Sequence, residues 1–218
     1  MFAPRHTKVT VILSNHFVHY VLVPWSDKLH SEKEELAYAR HCMTEVYGDA
    51  AEAWDVRLSP DKAGAPALAS AVDRKFLEEL RSLLERAEVS IKSIQPHLMT
   101  AHNTCHASLK GRSAWLALLE PGNLCLAMLQ HGQWAWMRKM RIGQGWQEEL
   151  LRILEREECM AGADAAANDV LLWAPHLHES NMADQRQIQD GRKWQFQHLR
   201  ASPKYGFGVD DGLAAAVA

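Results

Sequence analysis

Short apolar runs broken by polar turns set the first part of the chain. Val9-Thr10-Val11-Ile12-Leu13 is β-branched and runs into the polar turn Ser14-Asn15-His16. A second run, Val18 to Val23, stops at Pro24, which cannot donate to a central ladder. Two short strands about a tight turn predict a hairpin. The period then changes. Ser31 followed by Glu34 has the form of a capping box, and Leu36, Ala39, Met43 and Val46 recur at helical spacing until Gly48. Trp54 to Leu58 and Ala67 to Val72, joined by the loop Ser59 to Gly64, read as another hairpin. Asp73 is placed to cap a helix with the stripe Phe76, Leu77, Leu80, Leu83, Leu84 and Ala87. A strand at Ser90 to Ile94 and a helix opening near Pro96 follow.

The second half opens with three strands in succession: Ser113 to Leu119, Leu124 to Leu129 and Gln133 to Ile142. The first two are apolar on both faces, as in strands covered on both sides. On the third, alternation puts Trp134, Trp136, Met140 and Ile142 on one face and Lys139 and Arg141 on the other. A helix from about Trp146 to Glu158 carries the stripe Leu150, Leu151, Ile153 and Leu154. An alanine-rich loop (161–167) leads to a buried strand at Val170 to Trp173. A polar helix over 179–192, a strand over 194–199 and a short helix over 211–218 complete the pattern. The order is β-β-α-β-β-α-β-α over residues 1–110, then β-β-β-α-β-α-β-α over 111–218. The second set is the order of a ribonuclease-H-like unit, so the fold class is α/β in two subdomains.

Composition narrows the function classes. With 218 residues, 47% apolar and 23% charged, the chain is an ordinary globular protein. A net charge of -3 gives no basic field for nucleic acid. The four cysteines have no paired spacing, which suits a reducing cytoplasm, and no apolar run reaches the ~20 residues that span a bilayer.

Several stretches resemble the PilM family of type IV pilus assembly proteins, the cytoplasmic domain of the type II secretion protein GspL, and the MshI proteins. They are Val9 to Ser14 with Tyr20 to Pro24, the Glu34 to Tyr47 helix, the block from Leu68 to Pro96, and Leu118 through Gly143. The resemblance implies an actin-like ATPase fold and a cytoplasmic protein, peripheral at the inner membrane. It implies as partner the cytoplasmic tail of a membrane-spanning pilus or secretion protein, or the assembly ATPase, and leaves room for a homodimer. Two departures from actin-like ATPases stand out. The N-terminal hairpin with its aspartate and glycine turn is missing from the expected place, so that loop either lies outside this chain or has been lost. At the second phosphate loop, Asp-x-Gly is replaced by Glu120-Pro121-Gly122-Asn123. Glu120, Gly122 and Asn123 are therefore the residues of a degenerate nucleotide site. Pro121 has no amide to offer a phosphate, and Trp173 runs into Ala174-Pro175-His176 where a glycine pair is expected.

Other chemistry is weaker. His102, Cys105 and His106 share helical spacing, and His176 and His178 lie on a loop, but compact zinc-ligand spacing is absent. Glu120 paired with Asp73 or Asp169 for acid-base work competes with a capping role for Asp73 and a strand-end place for Asp169. The clusters Glu32 to Glu35 and Arg156 to Glu158 read as solvated helix faces. The expectation is a non-catalytic scaffold without metal or cofactor, ATP and magnesium being disfavoured. The alternative is an actin-like ATPase or small-molecule kinase whose first phosphate loop lies outside this chain.

Overall fold

The computed structural model describes residues 8–59, 62–161, 168–174 and 194–199. Ten strands and five α-helices follow in the order β1 (Lys8–Leu13), β2 (His19–Val23), α1 (Glu32–Tyr47), β3 (Trp54–Ser59), β4 (Ala67–Asp73), α2 (Arg74–Arg86), β5 (Ser90–Pro96), α3 (His97–Thr104), α4 (His106–Leu109), β6 (Ala114–Glu120), β7 (Asn123–Gln130), β8 (Gln133–Arg141), α5 (Trp146–Ala161), β9 (Asp169–Trp173) and β10 (Gln195–His198). The predicted helices over 179–192 and 211–218 and the loop over 162–167 lie outside the described residues, as do His176 and His178.

The second half is a five-stranded sheet in the order β10-β9-β6-β7-β8. Strands β6, β7 and β8 form an antiparallel meander, and β9 and β10 join parallel to β6. That is the ribonuclease-H-like arrangement expected from the element order. All of β6 and all but the last residue of β7 are buried. Their doubly apolar sequence is thus explained by cover on both faces. On one face α5 lays Leu150, Leu151, Ile153 and Leu154 against Trp115, Leu124, Leu126 and Val170. On the other, Leu116, Leu118, Cys125, Ala127 and Leu171 form one core with Leu13, Val18, Tyr20, Leu68, Leu77 and Leu98. The largest core cluster therefore draws side chains from both sides of residue 110.

The predicted β1–β2 hairpin does not form. Strand β1 pairs in parallel with β5, whereas β2 pairs antiparallel with β4 in a separate sheet of order β2-β4-β3. A short 3-10 turn, Asn15–Phe17, redirects the chain between the two sheets. An apolar run shows that a strand exists, but its partner is chosen by packing far along the chain. The β3–β4 hairpin is present as expected.

Both predicted caps are in place: Ser31 Oγ accepts from Glu34 N–H, and Asp73 Oδ1 accepts from Phe76 N–H at 3.0 Å. Helix α1 ends at Gly48 with φ +69°, a left-handed backbone open to glycine. It buries Ala39 and Met43 on the β2-β4-β3 sheet, beside Ala69 and Ala71. Val46 is exposed, and so are Leu83 and Ala87 on α2. Each sits in the last turn or just beyond it, where the helix has run past the sheet it covers.

Two further expectations about faces are corrected. Trp134 and Trp136 do not share a face, because the β7–β8 register shifts between Met128 and Leu129. Met128 pairs with Trp136 and Leu129 with Trp134, so Ala135 is an extra residue on β8. The bulge sends Trp134 into the core shared with the first half and Trp136 toward α5, edge-on to Trp115 at 5.7 Å. Glu157 is not on a solvated face. It is 5% exposed and accepts from Arg138 at 3.1 Å and from Arg156 at 2.6 Å, so the end of α5 is tied to β8.

Candidate functional site

The β6–β7 turn is the place where the sequence puts a degenerate phosphate loop. Glu120 closes β6 and pairs across the hairpin with Asn123, leaving a two-residue turn of Pro121 and Gly122. Gly122 has φ +74°, which a proline followed by glycine supplies at little strain. Both turn carbonyls already accept hydrogen bonds. Pro121 O takes His16 Nε2–H at 2.9 Å, and Gly122 O takes Ile142 N–H at 3.2 Å.

Glu120 faces inward at 8% exposure. Its Oε2 accepts from the Asn15 backbone N–H at 2.9 Å and lies 3.4 Å from Asn123 Nδ2. Its Oε1 is 2.7 Å from His97 Nδ1. The ring of His97 is oriented from behind: Trp173 Nε1–H donates to His97 Nε2 at 3.1 Å. An indole nitrogen can only donate, so Nε2 is the acceptor and Nδ1–H points at Glu120. Burial pushes the Glu120 carboxyl up, but the His97 ring and the Asn15 and Asn123 donors outweigh it and hold the pKa below the usual glutamate value.

Asn15 is the hub on the other side. Its Oδ1 accepts from Tyr20 Oη–H at 2.6 Å and from Leu98 N–H at 3.2 Å. Its carbonyl accepts from Lys139 Nζ at 3.0 Å, and the same ammonium reaches Val18 O at 2.7 Å. Burial holds the Lys139 pKa below the usual lysine value. Lys139 sits on the polar side predicted for β8, but the first half covers that side. Six strands and helices (β2, α3, β6, β7, β8 and β9) and the turn Asn15–Phe17 thus send side chains or amides to one small polar knot, wrapped in the shared core.

Beside the turn lies an open cavity of about 370 Å³ bounded by Leu119, Glu120, Pro121, Gly122, Ile142, Gly143, Gln144 and Trp146. Among the described residues its one charged wall residue is Glu120. The neighbouring segment of the first half is the turn Asn15–Phe17, which has neither aspartate nor glycine.

Glu120, Gly122 and Asn123 lie on one hairpin turn, and the structure adds Asn15, Tyr20, His97, Lys139 and Trp173 around Glu120, which sequence reasoning missed. A polar residue at the end of an all-apolar strand was a signal that Glu120 needed partners. Nothing local pointed to residues up to 105 positions away. Asp73 and Asp169 do not join Glu120: Asp73 caps α2, and Asp169 accepts from Arg112 at 2.7 Å at the opposite end of the parallel β6–β9 pair. Burial pushes the Cys105 thiol up to about 11, which keeps it protonated at neutral pH. His102 lies against Trp134 with ring centroids 4.7 Å apart and the rings tilted by 34°. Among the described residues no three histidine, cysteine or acidic side chains converge on a metal site.

Comparison with known proteins places the architecture. The chain is similar to the cytoplasmic domain of EpsL, an inner-membrane component of the type II secretion system of Vibrio cholerae, over 88% of this chain and 69% of that one, at 10% identity and TM-score 0.54. It is similar to a PilM–PilN type IV pilus biogenesis complex over 94% of this chain and 74% of that one, at 13% identity and TM-score 0.67. A Bacteroides thetaiotaomicron protein with an actin-like ATPase fold matches over 88% and 68%, at 10% identity and TM-score 0.54. The fold is therefore the actin-like ATPase fold. No family model and no curated protein matches the sequence. Among the described residues no helix is long and apolar enough to cross a membrane.

Proposed function

We propose that this chain is a non-catalytic, actin-like binding scaffold of a bacterial type IV pilus or type II secretion assembly, acting at the cytoplasmic face of the inner membrane. The fold supports the class, since two of the similar structures come from those machines. The observation that carries the silent half of the reading is the state of the β6–β7 turn. A triphosphate cradle needs free backbone amides and a carboxylate that orders metal-bound water. Here the Asn15 amide is bound to Glu120, Pro121 has no amide, and the Glu120 carboxylate is turned inward onto Asn15, His97 and Asn123. Among the described residues the wall of the adjoining cavity has no lysine or arginine to oppose phosphate charge. The partner is the cytoplasmic tail of a membrane-spanning component, bound as an extended peptide at a sheet edge or apolar groove.

Calorimetric titration of the purified chain with ATP and magnesium tests the silent half, and no saturable heat and no phosphate release are expected. Saturable binding with turnover would replace the scaffold with the ATPase or kinase reading. Titration with cytoplasmic-tail peptides of candidate membrane partners tests the other half, and at least one is expected to bind with defined stoichiometry.

A further inference from the structure

We propose that the Asn15 N–H, the His97 Nδ1–H and the Asn123 carboxamide form an anion cradle whose built-in occupant is the Glu120 carboxylate, so that the β6–β7 turn carries its own plug. Three donors from three separate segments meet one carboxylate, at 2.9, 2.7 and 3.4 Å. None of them is a cation in its own right, and Asn15 and His97 are held by other atoms. Trp173 fixes the proton of His97 on Nδ1. Lys139 and the Tyr20 and Leu98 donors grip Asn15 on its carbonyl and its Oδ1, which aims the amide. The Asn15 and His97 donors therefore do not depend on Glu120 for their placing. They are preorganised, and preorganised donors bind an outside anion once the internal one is removed.

The chemical class follows from the geometry. One oxygen meets His97 and the other meets Asn15 and Asn123, which is the two-oxygen pattern of a carboxylate. The carboxylate is shielded from solvent, since Glu120 is 8% exposed. A short carboxylate such as acetate or formate fits this description, while tetrahedral phosphate does not. Lys139 lies close enough to feel the Glu120 charge, so the cradle also has a positive field behind it.

The inference concerns the same turn as the scaffold reading, but its assay contains no nucleotide and no partner, so either can fail alone. Thermal unfolding of the full chain and its Glu120→Ala variant is followed in sodium chloride, acetate and phosphate at equal ionic strength and pH. In chloride the variant is expected to unfold roughly 5–10 °C lower, because three donors lose their acceptor. Acetate is expected to recover at least half of that loss with a saturable dependence, and to leave the wild-type chain unmoved. Glu120→Gln keeps the space filled and is expected to gain nothing from acetate. Equal behaviour of the variant in acetate and chloride overturns the cradle, and a better rescue by phosphate overturns the carboxylate class. If Glu120→Ala does not fold, the ring 15N spectrum of His97 in the wild-type chain decides. A protonated Nδ1 and a bare Nε2 are expected; a proton on Nε2 overturns the proposal.

Discussion

Replacing Asn15 with alanine is the sharpest test of the buried knot. Asn15 is fully buried, and its Oδ1 is the acceptor for Tyr20 Oη–H at 2.6 Å and Leu98 N–H at 3.2 Å. Truncation leaves both donors buried without that partner. Each orphaned donor costs about 1–3 kcal/mol. Asn15 Nδ2 is itself buried with no hydrogen-bond partner among the described residues, so its removal returns roughly 1 kcal/mol. The net expectation is a loss of about 1–5 kcal/mol, a large part of the roughly 5–15 kcal/mol that a domain possesses. A Tyr20→Phe variant removes one of the two donors. In that background Asn15→Ala should cost about 1 kcal/mol less, since one orphan no longer exists. Urea denaturation of the four chains of the cycle measures both quantities, with a constant slope as the check on two-state unfolding. A loss below about 1 kcal/mol, or strict additivity with Tyr20→Phe, would refute the hub role assigned to Asn15.

The remaining expectations concern the turns, the packing and the titration of the interior. Gly132→Ala places a Cβ 2.7 Å from the Gly111 backbone nitrogen at φ +81°, and should lower stability by about 2 kcal/mol or more by urea denaturation. Ala39→Leu overpacks the contact between α1 and the Ala69–Ala71 strand and should cost about 1–3 kcal/mol, whereas Val46→Gln on the same helix should stay within about 0.5 kcal/mol. Glu120 has a folded pKa below its unfolded value, so the unfolded chain binds more protons as acid is added. Its stabilisation is present above the ordinary carboxylate range and is lost as pH falls through the folded pKa, and Glu120→Gln should flatten that acid limb of a stability–pH curve. His19, stacked on Trp54 at 3.9 Å, is held below the usual histidine value by burial and by Lys139. NMR titration should therefore find it below 6.5, with stability falling as pH drops from that unfolded value toward the folded one.

Local chemistry was enough to locate most elements. The Ser31 and Asp73 caps, the Gly48 stop, the doubly apolar β6 and β7 and the α5 stripe all act through residues a few positions apart, and such signals survive without knowledge of the rest of the chain. The order of the second half then pointed to a ribonuclease-H-like sheet, and Glu120-Pro121-Gly122-Asn123 marked the turn worth examining. What could not be read were choices made between distant segments. Strand β1 pairs with β5 rather than β2, because sheet partners are selected by the shared core and not by the turn that follows the strand. One extra residue at Ala135 sends two tryptophans to opposite faces, since side-chain direction has period two and alternation assumes an unbroken ladder. The surroundings of Glu120 were likewise decided in three dimensions. A carboxylate beside a glycine turn can face a nucleotide or its own protein, and only the arrival of Asn15 and His97 from the other half fills its lone pairs from within.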